Sequence, residues 1–202
     1  PRATVINWSY CVSNGYLVFI PDVVFRKGEP GASSYDAVVS GVKSLIDRYD
    51  FIDKDRIALN GHSWGGYQIA FLVTRTNMFK AAVSGAPVVN MTSAYGGIRW
   101  ESGKSRMFQY EQTQSRIGGT LWDKPAEFIR NSPLFFLPQV QTPVLIMHND
   151  KDGSVMWEQG IEFFMALRRL DKPVWLFNYK GEGHHLKKWE NRLDYSRRVM
   201  EF

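Results

Sequence analysis

The sequence predicts an α/β fold in which one mostly parallel sheet carries helices on both faces. Three observations predict it. Short, near-continuous apolar runs alternate with longer stretches of helical periodicity, the order that strand–helix–strand units require. Hydrophobic residues make up 44% of the 202 positions and aromatic ones 14%, which suits one sizeable core better than two. Finally, a serine flanked by glycines stands between a predicted strand and a predicted helix, as in one class of open sheet.

The elements follow in chain order. Ala3 to Ser13 reads as a helix. Tyr16 to Ile20 (YLVFI), bounded by Asn14-Gly15 and Pro21-Asp22, reads as a buried strand. Ser34 to Tyr49 sets Ala37, Val38, Val42, Leu45 and Ile46 at helical spacing. Arg56 to Leu59 is a strand, Gly65 to Arg75 a helix, and Ala81 to Ser84 a strand. Residues 88–133 break the rhythm with Tyr95-Gly96-Gly97, Trp100, Gly118-Gly119 and Trp122, and read as an insertion over the strand ends. Pro143 to His148 and Val174 to Tyr179 are further strands, with Val155 to Leu170 and Lys187 to Phe202 as the helices after each.

Charge and cysteine content narrow the classes. The net charge is +5, and much of the excess sits in Lys187, Lys188, Arg192, Arg197 and Arg198. No nucleic-acid reader motif accompanies these residues, so no nucleic-acid partner is expected and they read as a solvated helix face. Cys11 is the only cysteine, which excludes an intrachain disulfide and leaves the compartment open. No apolar run is long enough to span a membrane. The chain opens at Pro1 with neither an initiator methionine nor a signal peptide, as expected of a piece of a longer protein.

The most informative stretch is Leu59-Asn60-Gly61-His62-Ser63-Trp64-Gly65-Gly66-Tyr67. It places G-x-S-x-G after a strand and before a helix, the context of a nucleophile elbow. A serine in such a sharp turn needs Gly61 and Gly65 where a Cβ would strike backbone. The helix behind it points free N–H groups and partial positive charge at a developing oxyanion. Ser63 is therefore the candidate nucleophile and the Trp64 N–H the first candidate oxyanion donor.

An elbow of this kind is followed in chain order by an acid and then a histidine. After the strand ending at His148 come Asp150 and Asp152, and position alone does not choose between them. Asp152 is also within capping range of the helix near Val155. Four histidines are available. His62 adjoins the serine but is expected to point elsewhere, and His148 is expected to be half buried at a strand end. His184 and His185 lie in the loop after the last strand, where an imidazole can reach back to the serine, and spacing does not separate them.

Three motifs carry a resemblance. Gly61-His62-Ser63-Trp64-Gly65-Gly66-Tyr67 is similar to G-x-S-x-G-G-Y, His148-Asn149-Asp150-Lys151-Asp152-Gly153-Ser154-Val155 to H-G-x-x-D-x-x-V, and Gly181-Glu182-Gly183-His184 to G-E-x-H-G. The chain thus resembles the catalytic domain of the prolyl oligopeptidase family of serine peptidases, with its dipeptidyl and acylaminoacyl peptidases. The resemblance implies an α/β-hydrolase fold, with residues 1–202 as one catalytic domain truncated at its N-terminus. It assigns the acid to Asp152 and the base to His184, with His185 where the family usually has glycine. Ser154 stands where dipeptidyl peptidases have an asparagine that helps hold substrate. The resemblance further implies that a β-propeller, the first sheet strands and a second oxyanion donor precede Pro1.

The implied activity is hydrolysis of peptide bonds in short peptides through an acyl-enzyme. A carboxylesterase or lipase on the same fold, and a non-catalytic hydrolase-like binding module, are the alternatives. Tyr67 and Tyr95 are the named substrate-pocket candidates, with Trp64 and Trp100 behind them; packing in an aromatic core is the competing reading. No cofactor and no metal site are expected, because the His and Asp residues fall at no ligand spacing. The expected partners are a peptide substrate and the propeller of the parent chain, with a homo-oligomer admitted and compartment and substrate preference left open.

Overall fold

In the computed structural model, which describes residues 6–202, four parallel strands form the sheet. They are β1 (Ala58–His62), β2 (Ala81–Gly85), β5 (Val144–Met147) and β6 (Val174–Phe177), in the order β1-β2-β5-β6. The register pairs Leu59 with Ala82, Val83 with Leu145, and Ile146 with Leu176. β5 is wholly buried, in keeping with its uninterrupted Val-Leu-Ile-Met run and its place between two neighbours.

Alternation along the strands builds two cores. Ala82, Val144 and Ile146 face α2 (Pro30–Arg48), α3 (Trp64–Leu72) and α7 (Glu158–Arg169), meeting Val39, Val42, Leu72, Phe163 and Leu167. Val83, Leu145 and Met147 face the other way, against Tyr195 of α8 (Trp189–Glu201) and Leu186 of the loop before it. Helices therefore cover both faces, as the alternating pattern predicts.

Most boundaries move by a few residues. The helix predicted from Ser34 begins at Pro30, since proline suits the first turn, where its missing N–H leaves nothing unsatisfied. β1 runs on through Gly61 and His62, and α7 starts at Glu158 rather than Val155. The first helix, α1, spans Trp8–Ser13, with Asn7 Oδ1 accepting from Tyr10 N as its cap; the Ala3 to Val5 part of the predicted helix lies outside the described residues.

One predicted element is corrected. Tyr16 to Ile20 is not a strand: it pairs with no neighbour among the described residues, and Leu17 and Ile20 are 64% and 59% exposed. An apolar, β-favouring run becomes a strand only where a ladder partner satisfies its N–H and C=O groups. Here Phe19 packs closely over Gly41 of α2.

The insertion is ordered. It carries α4 (Met91–Tyr95), a short antiparallel pair β3 (Ile98–Arg99) and β4 (Lys104–Ser105), α5 (Met107–Glu111) and α6 (Pro125–Arg130). Its own core joins Tyr95, Tyr110, Phe128 and Met91 to Tyr67 and Phe71 of α3. The fully buried Gln159 of α7 fastens its start by accepting from the N–H groups of Val89 and Asn90 at 3.0 and 2.9 Å.

Candidate functional site

Ser63 follows the last residue of β1 and adopts φ 60°, ψ −117°, a left-handed conformation that a non-glycine residue holds only under constraint. The constraint is visible. Ser63 N donates to Gly85 O at 2.8 Å, and Ser84 Oγ donates to Gly66 O at 2.8 Å, so β2 grips both sides of the turn. A Cβ on Gly61 would strike the backbone of Gly65, and one on Gly66 would strike the Gly85 carbonyl. Gly65 meets nothing closer than the end of Gln68, at 4.0 Å. The glycines that close packing requires are therefore 61 and 66, where the sequence reading named 61 and 65.

The turn aims Ser63 at the loop after β6. His184 Nε2 lies 2.8 Å from Ser63 Oγ, and His184 Nδ1 lies 2.8 Å from Asp152 Oδ2. With the hydrogen on Nδ1, the imidazole donates to the carboxylate and accepts from the hydroxyl. Asp152 is buried, and its second oxygen accepts from the N–H groups of Ser154 and Val155, each at 2.8 Å. Burial opposes its ionisation, but hydrogen bonds from His148 and His184 outweigh burial and hold the carboxyl well below the usual carboxylate range.

Asp150 plays another part: its carboxylate accepts from Gly181 N at 2.7 Å and so ties the acid loop to the histidine loop. Asn149 does the same, donating to Gly183 O at 2.8 Å and accepting from Tyr179 N at 3.1 Å. Glu182 is 3% exposed and accepts from Lys187 N, Lys188 N and Asn191 Nδ2 at 2.8, 2.9 and 2.7 Å. Burial pushes its pKa up, and these hydrogen bonds more than offset that, holding the carboxyl below its ordinary range. The loop that carries His184 is thus clamped on both sides.

Two histidines depart from expectation. His148 is fully buried rather than half buried, and its Nε2 is shared between Val155 O at 3.2 Å and Asp152 Oδ2 at 3.3 Å. His62 does not point away from the site. Its ring lies 4.8 Å, centroid to centroid, from those of both His184 and His185. Chiefly burial, then the neighbouring imidazoles, push the His62 pKa down to about 3, so the ring is neutral at ordinary pH. The His62 contacts join loops that follow different strands, so no sequence spacing signals them, whereas those of His148 are made within the single loop after β5.

Trp64 opens α3, so its backbone N–H belongs to the turn that has no acceptor within the helix. Its indole stacks on Tyr67 at 4.4 Å. Beside it lies a cleft of about 780 Å³, bounded by Phe25, Trp64 and Phe108 and by three cations, Arg99, Lys104 and Arg116. Arg99 donates to Ser154 Oγ at 3.0 Å, which places it beside the Asp152 loop.

Neither Tyr67 nor Tyr95 is among the residues lining this cleft. Tyr67 is fully buried with an unpartnered hydroxyl, and Tyr95 is buried in the insertion core with its hydroxyl donating to Glu111 at 2.6 Å. Trp100 is 72% exposed. Of the four aromatics named from sequence, Trp64 alone faces the cleft. Arg99, Lys104 and Arg116 were missed, because scattered cations in an insertion look like any solvated surface.

A hydroxyl bonded to an imidazole that is itself bonded to a buried carboxylate is the arrangement by which a serine is activated for attack on a carbonyl. Comparisons with known proteins bear on the family and the fold. A family profile described as "Prolyl oligopeptidase family" matches residues 7–202. The chain is 31% identical over 166 residues to the "Uncharacterized peptidase YuxL" of Bacillus subtilis, covering 80% of this chain and 23% of that protein. To the human "Acylamino-acid-releasing enzyme" it is 29% identical over 174 residues, covering 83% and 22%. The solved Pyrococcus horikoshii acylaminoacyl peptidase superposes with a TM-score of 0.75 at 21% identity, over 87% of this chain and 28% of that one. A likeness at that identity shows the α/β-hydrolase fold. The chain spans about a quarter of the length of the relatives it matches.

Proposed function

This chain belongs to the prolyl oligopeptidase family, and we propose that it is the catalytic domain of a serine peptidase that cleaves peptide bonds in short peptides. The observation that carries the proposal is the chain of two 2.8 Å hydrogen bonds from Ser63 through His184 to Asp152. It joins residues from the ends of three different strands. In this reading Ser63 Oγ attacks the scissile carbonyl while His184 Nε2 takes its proton. The imidazolium then returns that proton to the leaving amine, and water, deprotonated by the same histidine, releases the acyl group. Asp152 fixes the Nδ1–H tautomer and stabilises the imidazolium; its strong preference for the ionised form suits both tasks. The Trp64 N–H stabilises the oxyanion, and one such donor contributes about 2.7–4 kcal/mol.

The cleft beside Trp64 is the proposed seat of the substrate side chains. Its three cations and its aromatic walls suit a peptide with an apolar body and a nearby carboxylate.

The test uses the full-length protein. A fluorophosphonate probe is expected to label Ser63, and matched substrates with the same acyl part as an amide and as an ester are both expected to be cleaved. Cleavage of the ester with an untouched peptide would move the assignment to an esterase. Absence of both labelling and turnover would remove the catalytic reading altogether. Asp152→Asn is expected to lower kcat by about 10⁴-fold, because the amide cannot hold the imidazole in the required tautomer.

A further inference from the structure

Three imidazoles meet at the mouth of the site. The rings of His62 and His184 lie 4.8 Å apart, those of His62 and His185 4.8 Å, and those of His184 and His185 4.9 Å. One nitrogen from each can be chosen so that all three lie within 4.8 Å of one another. Both nitrogens of His62 are shut off from solvent and have no hydrogen-bond partner. His184 is held by Asp152 at 2.8 Å, the carboxylate–imidazole pairing that orients metal-bound histidines.

We propose that His62, His184 and His185 form a transition-metal site that takes Zn²⁺, and that its occupation turns the hydrolytic site off. The donor set selects the class of ion. Three imidazole nitrogens suit Zn²⁺ and its borderline neighbours, whereas Mg²⁺ and Ca²⁺ want oxygen ligands. In a tetrahedral zinc site with bonds of about 2.0–2.1 Å the ligand atoms stand about 3.4 Å apart. The three ligand atoms, within 4.8 Å of one another, therefore have to close by a little over 1 Å, and His185 is the exposed member of the three. Three protein ligands leave the fourth position to water or to Ser63 Oγ.

The inhibition follows from what His184 already does. Its Nε2 holds Ser63 and its Nδ1 holds Asp152. An ion bonded to either nitrogen displaces a partner that the hydrolytic mechanism requires, so the metal-bound and active forms exclude each other. This consequence rests on the serine-peptidase reading; the binding of the ion does not. His185 also stands where the sequence resemblance expects glycine, which makes His185→Gly a mild change on an exposed loop.

The experiment uses chelator-stripped full-length protein. Calorimetric titration with Zn²⁺ is expected to show one ion bound per chain at this site, in the wild type and equally in Ser63→Ala. Fluorophosphonate labelling of Ser63 is expected to fall to background at saturating Zn²⁺ and to recover on adding EDTA. His185→Gly and His62→Phe, each normalised to its own metal-free labelling rate, are expected to raise the half-inhibiting Zn²⁺ concentration about 10–100-fold. No binding in the wild type, or binding and inhibition unchanged in both variants, overturns the site. Binding with an unchanged labelling rate overturns the inhibition. A protein that never labels, with or without EDTA, sinks the peptidase reading, while the calorimetry still decides the site.

Discussion

At Ser63 the backbone is held at φ 60° by contacts that a side chain at either of two glycines would break. Gly66→Ala is expected to destabilise the fold by about 1–3 kcal/mol, since its Cβ has only the Gly85 backbone to move. Gly65→Ala is expected to be neutral or to stabilise by up to about 1 kcal/mol, as alanine suits a helix better. Urea unfolding of the two variants distinguishes them, and equal losses would refute the packing argument. The residues in the site were legible because each sits in a local motif: the turn at Ser63, the loop at Asp152, the loop at His184. What they touch was not. His62 against His184 is a contact between segments far apart in sequence, which neither periodicity nor spacing encodes, and the local contact of His148 with Asp152 depends on how the loop after β5 turns back on itself.

Among the elements, apolar runs located all four sheet strands, most fully β5, which is apolar and buried along its whole length, and least fully β1, whose run ends at Leu59 before the polar Asn60 and His62. The same signal at Tyr16 to Ile20 produced no strand, since composition reports a taste for extended backbone and says nothing of a partner. The loop between β6 and α8 shows the reverse case. Its Gly181-Glu182-Gly183 sequence looks pliable, yet the Glu182 carboxylate satisfies three donors and fixes its path into α8. Glu182→Gln leaves at least one of those donors without an acceptor and is expected to lower stability by about 1–3 kcal/mol. Because the loop carries His184, kcat should fall with it. Thermal unfolding and turnover measured together check this, and a stable variant with full activity would count against the clamp.

Across the whole molecule, Ser63, Asp152 and His184 follow β1, β5 and β6 at the same edge of the sheet, the edge where parallel strands all end. Three helices, α3, α5 and α8, each bury a tyrosine. Burial pushes the hydroxyls of Tyr67, Tyr110 and Tyr195 above the ordinary pKa of 10.0. These groups stay neutral in the fold while an unfolded chain ionises its tyrosines, so stability is full below pH 10 and falls as pH rises beyond it. Denaturant midpoints between pH 8 and 11 should show that decline, and Tyr195→Phe should flatten it; a slope that the substitution leaves alone would remove Tyr195 from the account. The position of the insertion carries one more consequence, for how the chain reaches this state. Ala82 and Val144 are partners in the central ladder yet about 60 positions apart, and closing a loop of that length opposes the pairing by several kcal/mol. β1 and β2 are joined by a much shorter connection, so they can dock early, whereas β5 must wait until the aromatic cluster of Tyr95, Tyr110 and Phe128 draws the intervening chain together. Refolding should accordingly be slow, and loosening that cluster with Phe128→Leu should retard it further while leaving the sheet's own residues untouched.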